Sequence, residues 1–330
     1  MTDSAERRRL EGRVVVVTGA GRGIGAQYAQ QAAAAGARVV VNDLGRGLHG
    51  EDAADSSSPA EQVAEEIRAS GGEAVADHHD VADFNGARAL IVTAVERFGG
   101  LDVLINNAGI LRDRMLVSMS EQEFDDVVRI HLRGHFCASR HAAEYWRHRT
   151  RERGPRDSVL VQTTSIAGLH GNVGQFNYAA AKAGISGMAV TGHLELNQRY
   201  GVRSYAVAPS ARTRLTLSSP GAADAVAAPE DGTFDFFAAE NVPPFVLWLC
   251  ADGCPAPSGT VYGVEGDLVR RYEPWSIAAT ISHGARWTFE GLDARAHELL
   301  KGADTAIVGT RAVVELSEKH VAALHREASS

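Results

Sequence analysis

Residues 13–25 read RVVVVTGAGRGIG, a β-branched run that breaks into a glycine-rich turn. Arg13–Thr18 has the continuous apolar character of a strand buried on both faces, and an Ala-rich helix is expected from about Gly23 to Ala35, stopped by Gly36. Between them, Gly19, Gly21, Gly23 and Gly25 permit a tight turn and let the backbone approach a pyrophosphate, with Arg22 and Ile24 in the same loop. Such a group sits on the positive N-terminus of the following helix. A glycine-rich turn alone is a weak signal, because ordinary turns also use glycine. Here a second strand, Ala37–Asp43 (ARVVVND), ends on a carboxylate 18 residues beyond Gly25. Asp43 can accept hydrogen bonds from both hydroxyls of a ribose, so strand, loop, helix and carboxylate together point to a dinucleotide site. A 2′-phosphate would meet a like charge at Asp43, which favours NAD over NADP. Arg22 argues more weakly the other way, since a loop arginine can pair with that phosphate.

Outward from this unit, further strands are expected at Val75–Asp80, Val103–Asn106, Val159–Thr163, Arg203–Ala208 and Thr260–Val264, separated by helical patterns. Apolar strands alternating with helices indicate a parallel sheet covered on both faces, hence a single Rossmann-type, doubly wound α/β domain. Ser58-Pro59-Ala60-Glu61 supplies an N-cap, a proline at the first helical position and a reciprocal glutamate, and Ser120 with Glu123 repeats the capping-box pattern. Gly45–Ser58 is a polar loop, and Ala211–Phe234 is loop-like or only marginally helical, placed where a lid would lie. The domain is expected over 1–268. Residues 269–330 form a C-terminal extension with an amphipathic helix near Ala312–His325, expected to pack on the domain or on a dimer partner.

Composition narrows the function. Of 330 residues 45% are hydrophobic and 22% charged, which excludes wholesale disorder, and a net charge of −8 argues against nucleic acid as partner. The chain holds 30 arginines and three lysines, so Lys182 stands out as a titratable ammonium where a fixed guanidinium would not serve. Cys137, Cys250 and Cys254 are too few for a disulfide framework, and core packing is a better reading of them than metal binding. The N-terminus lacks the apolar stretch of a signal peptide, and no apolar run approaches the ~18 residues of a membrane span. The expectation is a cytoplasmic protein without metal or membrane partner.

Tyr178-Ala-Ala-Ala-Lys182 lies in a helical stretch, which puts both side chains on one face. An ammonium beside a phenol stabilises the phenolate and lowers its pKa from about 10. The phenol then serves as a proton donor and acceptor. Ser165, just past a strand and 13 residues upstream, adds a hydroxyl. Taken together, TGAGRGIG (18–25), NNAG (106–109), Ser165 and YAAAK (178–182) resemble the short-chain dehydrogenase/reductase family over residues 11–268. The resemblance implies a sheet of about seven strands. It also implies a homodimer or homotetramer, and hydride transfer between a secondary alcohol and a ketone. Ser165 would position the substrate oxygen, Tyr178 would move its proton, and Lys182 would tune the phenol and hold the ribose. Asn107, Ala108 and Gly109 would line the cofactor, and Asp80 and Val81 would bracket the adenine.

Within the family, VVVNDLGRG (39–47), NNAGILRDR (106–114), HLRGHF (131–136), GNVGQFNYAAAKAG (171–184) and VLWLCADGC (246–254) are similar to the (3R)-hydroxyacyl-CoA dehydrogenase unit of peroxisomal multifunctional enzyme type 2 and its stand-alone bacterial relatives. That similarity implies a 3-hydroxyacyl-CoA-like substrate. A 3-oxoacyl or polyketide ketoreductase and a hydroxysteroid dehydrogenase are rival substrate classes, and a non-catalytic NAD-binding module is disfavoured because Ser165, Tyr178 and Lys182 are all present. Two positions depart from the family pattern. His131 stands where an asparagine usually completes a proton relay, and a histidine there either holds the relay or packs. Pro209-Ser210 replaces a Pro-Gly, so Ser210 and Thr213 become the candidate carboxamide contacts. His78 and His79 read as solvated, Tyr145 and Trp146 as packing or interface residues, and Arg112 and Arg114 as solvated arginines.

Overall fold

The computed structural model describes residues 9–45, 58–218, 223, 226–229, 233–273, 275–302 and 309–328. Strand β1 (Val14–Thr18) is buried throughout, and its valines sort by parity. Val15 and Val17 enter one core with Val39 and Val41, while Val14 and Val16 enter a second with Val40 and Leu104. A strand covered on both faces has no solvated side, which is why its sequence shows no polar alternation.

The order continues as α1 (Gly23–Ala34), β2 (Arg38–Asn42), α2 (Pro59–Ala69), β3 (Glu73–Asp77), α3 (Phe84–Phe98) and β4 (Val103–Asn106). Then come α4 (Glu121–Val128), α5 (Gly134–Arg153), β5 (Ser158–Thr163), α6 (Ile166–His170), α7 (Phe176–Gly192) and β6 (Val202–Ser210). The chain closes with α8 (Pro243–Cys250), β7 (Val261–Glu265), β8 (Leu268–Tyr272), α9 (Phe289–Leu299) and α10 (Arg311–Ala328). The sheet order is β3-β2-β1-β4-β5-β6-β7-β8. Pairings are parallel except β7–β8. Winding reverses between β1 and β4, and that switch point opens a crevice at the carboxyl edge of the sheet.

Eight strands therefore stand where about seven were expected. The extra one, β8, carries Arg270 and Arg271 on a half-exposed antiparallel edge, so its sequence lacks the apolar run that marks the inner strands. It continues the sheet past residue 268. Strand β3 ends at Asp77 rather than Asp80, and His78–Asp80 lie beyond it. Ser120 and Glu123 form the full capping box of α4. Ser58 caps α2 alone, because the Glu61 carboxylate accepts instead from Arg68 at 2.7 Å, a charged donor that wins over a backbone amide.

Of the loop expected at Gly45–Ser58, residues 46–57 lie outside the described residues, as do 219–222, 224–225 and 230–232 of Ala211–Phe234. Within the latter, Thr213 caps a single helical turn at Arg214–Leu217. The amphipathic tail helix is α10, and α9 precedes it with no buried residue. Ser317 of α10 donates to Glu265 Oε2 at 2.6 Å and accepts from Arg270 at 3.0 Å. The amide of Thr310 reaches the Gly171 carbonyl at 3.1 Å, so the extension also touches the segment between α6 and α7.

Candidate active site

The glycine turn is built against the end of β4. Gly19 has φ +63°, and a Cβ there would lie 2.7 Å from the Cα of Ala108, so only glycine fits. Thr18 Oγ1 accepts from the amides of Asn107 (2.9 Å) and Ala108 (3.1 Å), and Asn107 Nδ2 lies 3.2 Å from the carbonyls of both Thr18 and Gly19. NNAG thus clamps the loop to the strand beside it. Arg22 precedes α1 without any side-chain cap, which leaves the first-turn N–H groups of that helix for an anion.

Asp43, one residue past β2, is oriented by the amides of Gly21 (2.9 Å) and Gly45 (2.8 Å), one on each carboxylate oxygen. Asp80 accepts from the Ala82 amide at 2.8 Å and is ion-paired with Arg129. Asp43 and Asp80 share one cleft of about 370 Å³ with Gly19, Arg22, Gly23, Ile24, Gly25 and Val81. Asn107, Ala108, Gly109, His131, Tyr178, Lys182 and Thr213 complete the expected set on its walls. Two expected residues stand apart. Ser165 lies outside the walls as the N-cap of α6, accepting from the Ala167 amide at 3.2 Å, and reaches Tyr178 by a side-chain hydrogen bond. Ser210 is the last residue of β6, paired with Glu265, and the walls take Pro209 and Ala211 on either side of it instead.

Tyr178 and Lys182 share one face of α7. The Lys182 ammonium donates to the Thr163 carbonyl at 2.6 Å and lies 5.5 Å from the centre of the Tyr178 ring. Burial lowers Lys182 to about 7. Burial also pushes the Tyr178 phenol up to about 12, with the Ser165 hydrogen bond pulling the other way and the Asp113 charge adding to the rise. The phenol therefore moves opposite to the expected lysine effect, since desolvation of the phenolate outweighs the groups that stabilise it.

His131 sits in a π-helical segment, Arg129–Arg133, joining α4 to α5. The extra residue in that turn is a feature often found at functional sites. It directs the ring inward, with Nε2 2.8 Å from the Ile110 carbonyl oxygen and edge-on to Tyr178 at 5.1 Å between centroids. Burial and the Lys182 charge hold its pKa well below the usual range, so the imidazole is neutral. One turn on, His135 is buried and lowered to about 3, chiefly by burial. The walls also take Thr163, Thr164 and Arg129, which carry no motif, although β5 placed Thr163 at a carboxyl strand end where ligands gather; His135, within HLRGHF, is not among them.

Three other side chains named from the sequence have partners in the structure. Trp146 packs in the core, its indole donating to the Leu101 carbonyl at 2.9 Å. Arg112 and Arg114 pair with Asp126 and Glu123. Among the described residues no three His, Cys, Asp or Glu side chains converge as for a metal, and no helix is long and apolar enough to cross a membrane.

Comparison with known proteins agrees with this geometry. The sequence profile described as short chain dehydrogenase matches residues 13–217. Over 298 residues the chain is 40% identical to hydroxyacyl-CoA dehydrogenase ChsB1 of Mycobacterium tuberculosis, covering 89% of this chain and 90% of that protein. It is 42% identical over 254 residues to peroxisomal multifunctional enzyme type 2 of Drosophila melanogaster, which covers 77% of this chain and 39% of the longer relative. A solved short chain dehydrogenase from Mycobacterium avium superposes with a TM-score of 0.78 at 48% identity, over 89% of this chain and 96% of that one. Sheet order, cleft and likeness converge: the chain is an oxidoreductase of the short chain dehydrogenase family.

Proposed function

We propose that this oxidoreductase uses NAD to interconvert a secondary alcohol and a ketone on a 3-hydroxyacyl-CoA-like substrate, with Ser165, Tyr178 and Lys182 at the reacting end. The observation that carries the reading is the single cleft holding the Asp43 carboxylate at one wall and the Tyr178–Lys182 pair at another. The substrate class is supported by the relative named hydroxyacyl-CoA dehydrogenase, matched over 89% of this chain.

The walls fit a dinucleotide. Gly23, at φ +55°, bares the backbone where α1 begins, and that helix start, which has no side-chain cap, lines the cleft as an anion site does. Gly19, Arg22, Gly23, Ile24 and Gly25 would hold that group, Asp43 the adenosine ribose, and Asp80 and Val81 the adenine. Asn107, Ala108 and Gly109 would line the remainder, with Thr213 the candidate carboxamide contact on the walls and Ser210 set back from them. NAD, when bound, supplies the hydride acceptor.

The chain's own residues do the rest. Ser165 donates a hydrogen bond to the substrate oxygen and so favours the charge that develops on it. Tyr178 takes the hydroxyl proton in oxidation and returns it in reduction. Lys182, held by the Thr163 carbonyl, places its amine beside the phenol ring and would hold the nicotinamide ribose. His131 buttresses the Tyr178 ring as a neutral group. Exposed Phe136 on α5 and Leu194 after α7 offer surface for assembly into a homodimer or homotetramer.

The test is absorbance at 340 nm with NAD or NADP, on a panel of 3-hydroxyacyl-CoA thioesters, steroids and simple secondary alcohols. Turnover of thioesters with NAD is expected. Activity on the other alcohols alone would discard the acyl-CoA substrate while leaving the chemistry in place.

A further inference from the structure

At the opposite edge of the sheet, away from the cleft, the amino ends of β2 and β4 meet the last turn of α5 around a small crevice of about 60 Å³. At about 10–15 Å³ per water-sized group, it has room for roughly four to six such groups, enough for one tetrahedral oxyanion. Its polar lining is Arg38, Arg149, Arg153 and Arg156, with Asp102 and Tyr145. Four guanidinium groups thus face one carboxylate. Asp102 is already engaged on both oxygens, by the Val14 amide at 3.0 Å on one and by Arg149 (3.3 Å) and Arg156 (3.2 Å) on the other.

The arginines are not all satisfied in return. Arg149 is only 9% exposed, donating to Leu101 O, Asp102 and Ser158, yet its buried Nε has no hydrogen-bond partner among the described residues. Arg38 donates its two terminal nitrogens to Phe98 O (2.8 Å) and Gly12 O (3.0 Å), and its buried Nε is likewise unpartnered. A guanidinium taken out of water without an acceptor for each N–H is costly, and like charges brought together add to that cost. An anion with several acceptor oxygens removes both penalties at once, and arginine forks suit such oxygens.

We infer that this crevice is a binding site for a phosphate-sized oxyanion, formed by Arg38, Arg149, Arg153 and Arg156 at the amino edge of the sheet and separate from the cofactor cleft. The ligand is either free inorganic phosphate or a single phosphate group borne by a larger molecule, since the crevice has no room for a sugar or base. Arg153 and Arg156, on the solvent side, admit it, and Arg149 and Arg38 form the floor.

The experiment is calorimetric titration of the whole chain with inorganic phosphate at constant ionic strength, in the absence and presence of saturating NAD. The Arg153→Gln and Arg156→Gln variants are titrated in parallel. Both side chains lie on the solvent side, and thermal melting confirms that each variant is folded. Wild type is expected to bind phosphate with or without NAD, and each variant to bind about tenfold more weakly, the worth of one charge-assisted hydrogen bond. Repeating the titration with AMP under saturating NAD, which keeps AMP off the adenosine wall of the cofactor cleft, separates the sources: tighter binding than inorganic phosphate that Arg153→Gln and Arg156→Gln weaken identifies a phosphate carried on a larger molecule, and weaker binding identifies the free ion. Phosphate that NAD displaces and neither variant weakens would belong to the glycine loop and would overturn the assignment. No saturable binding in wild type would overturn it equally.

Discussion

The His131 ring stands edge-on to the Tyr178 ring, planes at 87° and centroids 5.1 Å apart, while its other side is pressed onto Gly109. A Cβ at residue 109 would lie 2.2 Å from His131 Cε1, well inside contact distance. Gly109 therefore leaves room for the imidazole that meets the Tyr178 ring edge-on, which links the loop after β4 to α7 through His131.

Gly109→Ala is accordingly expected to destabilise the protein by about 1–3 kcal/mol through overpacking, and to lower turnover by displacing Tyr178. Adding His131→Ala to that variant removes the clash, so the double variant should melt above the Gly109→Ala single variant. Additive losses in a thermal double-mutant cycle would show that the two residues do not press on each other.

Tyr178→Phe removes the hydroxyl and keeps the ring against His131. With the proton-transfer group gone, turnover should fall by about 10²–10⁴-fold, while NAD affinity stays within a few-fold. Cofactor titration by fluorescence beside steady-state rates separates the two effects. Near-normal turnover in this variant would remove the phenol from the chemistry.

The buried ammonium of Lys182 predicts a pH signature. Burial lowers its pKa from 10.5 to about 7, so between those values the unfolded chain holds a proton that the folded chain has released. Its contribution to stability is flat below about pH 7 and rises with pH from about 7 toward 10. Relative to Lys182→Met, wild type should gain about 2 kcal/mol between pH 7 and pH 9 in denaturant melts. Parallel stability curves for the two proteins across that window would contradict a depressed lysine.

Asp43 predicts cofactor choice. In Asp43→Asn the fixed negative charge is lost while the acceptor for the Gly21 amide survives on the side-chain carbonyl. Affinity for NAD should fall about tenfold as charged hydrogen bonds to the ribose weaken, and NADP should improve. A variant that still rejects NADP as strongly as wild type would place the discrimination elsewhere in the cleft.

What the sequence made legible is what local chemistry decides. The glycine loop, β1, the Asp43 carboxylate and the Tyr178–Lys182 spacing are each fixed by neighbours a few residues away, and the structure brings them to one cleft. The π-helical segment at Arg129–Arg133 has no such mark, because it joins α4, which packs on α7, to α5, which packs chiefly on α3, and that arrangement is set by distant partners. Strand β8 escaped because an arginine-bearing edge strand reads like an exposed tail. The direction of the Tyr178 shift was also hidden, since it depends on how much water the finished fold excludes from the phenol. Ser210 was named because Pro209-Ser210 stands where a Pro-Gly is usual, and β6 runs two pairings further than its sequence suggested, taking Ser210 into the strand.

The C-terminal helix offers the last test. Ser317 is 2% exposed and joins Glu265 at the end of β7 to Arg270 on β8, so α10 is held to the sheet edge by a buried polar contact rather than by apolar burial alone. Ser317→Ala leaves the Glu265–Arg270 ion pair at 2.7 Å intact but removes the hydroxyl that donates to a nearly buried carboxylate. The loss should be about 1–3 kcal/mol, read as a lower melting temperature with an earlier release of the tail to limited proteolysis. Because Thr310 on the same tail also reaches the Gly171 carbonyl ahead of α7, release should loosen the segment between Ser165 and Tyr178. Faster amide exchange at 170–175 in Ser317→Ala is the expected signature, and exchange unchanged there despite tail release would show that the extension does not brace the site.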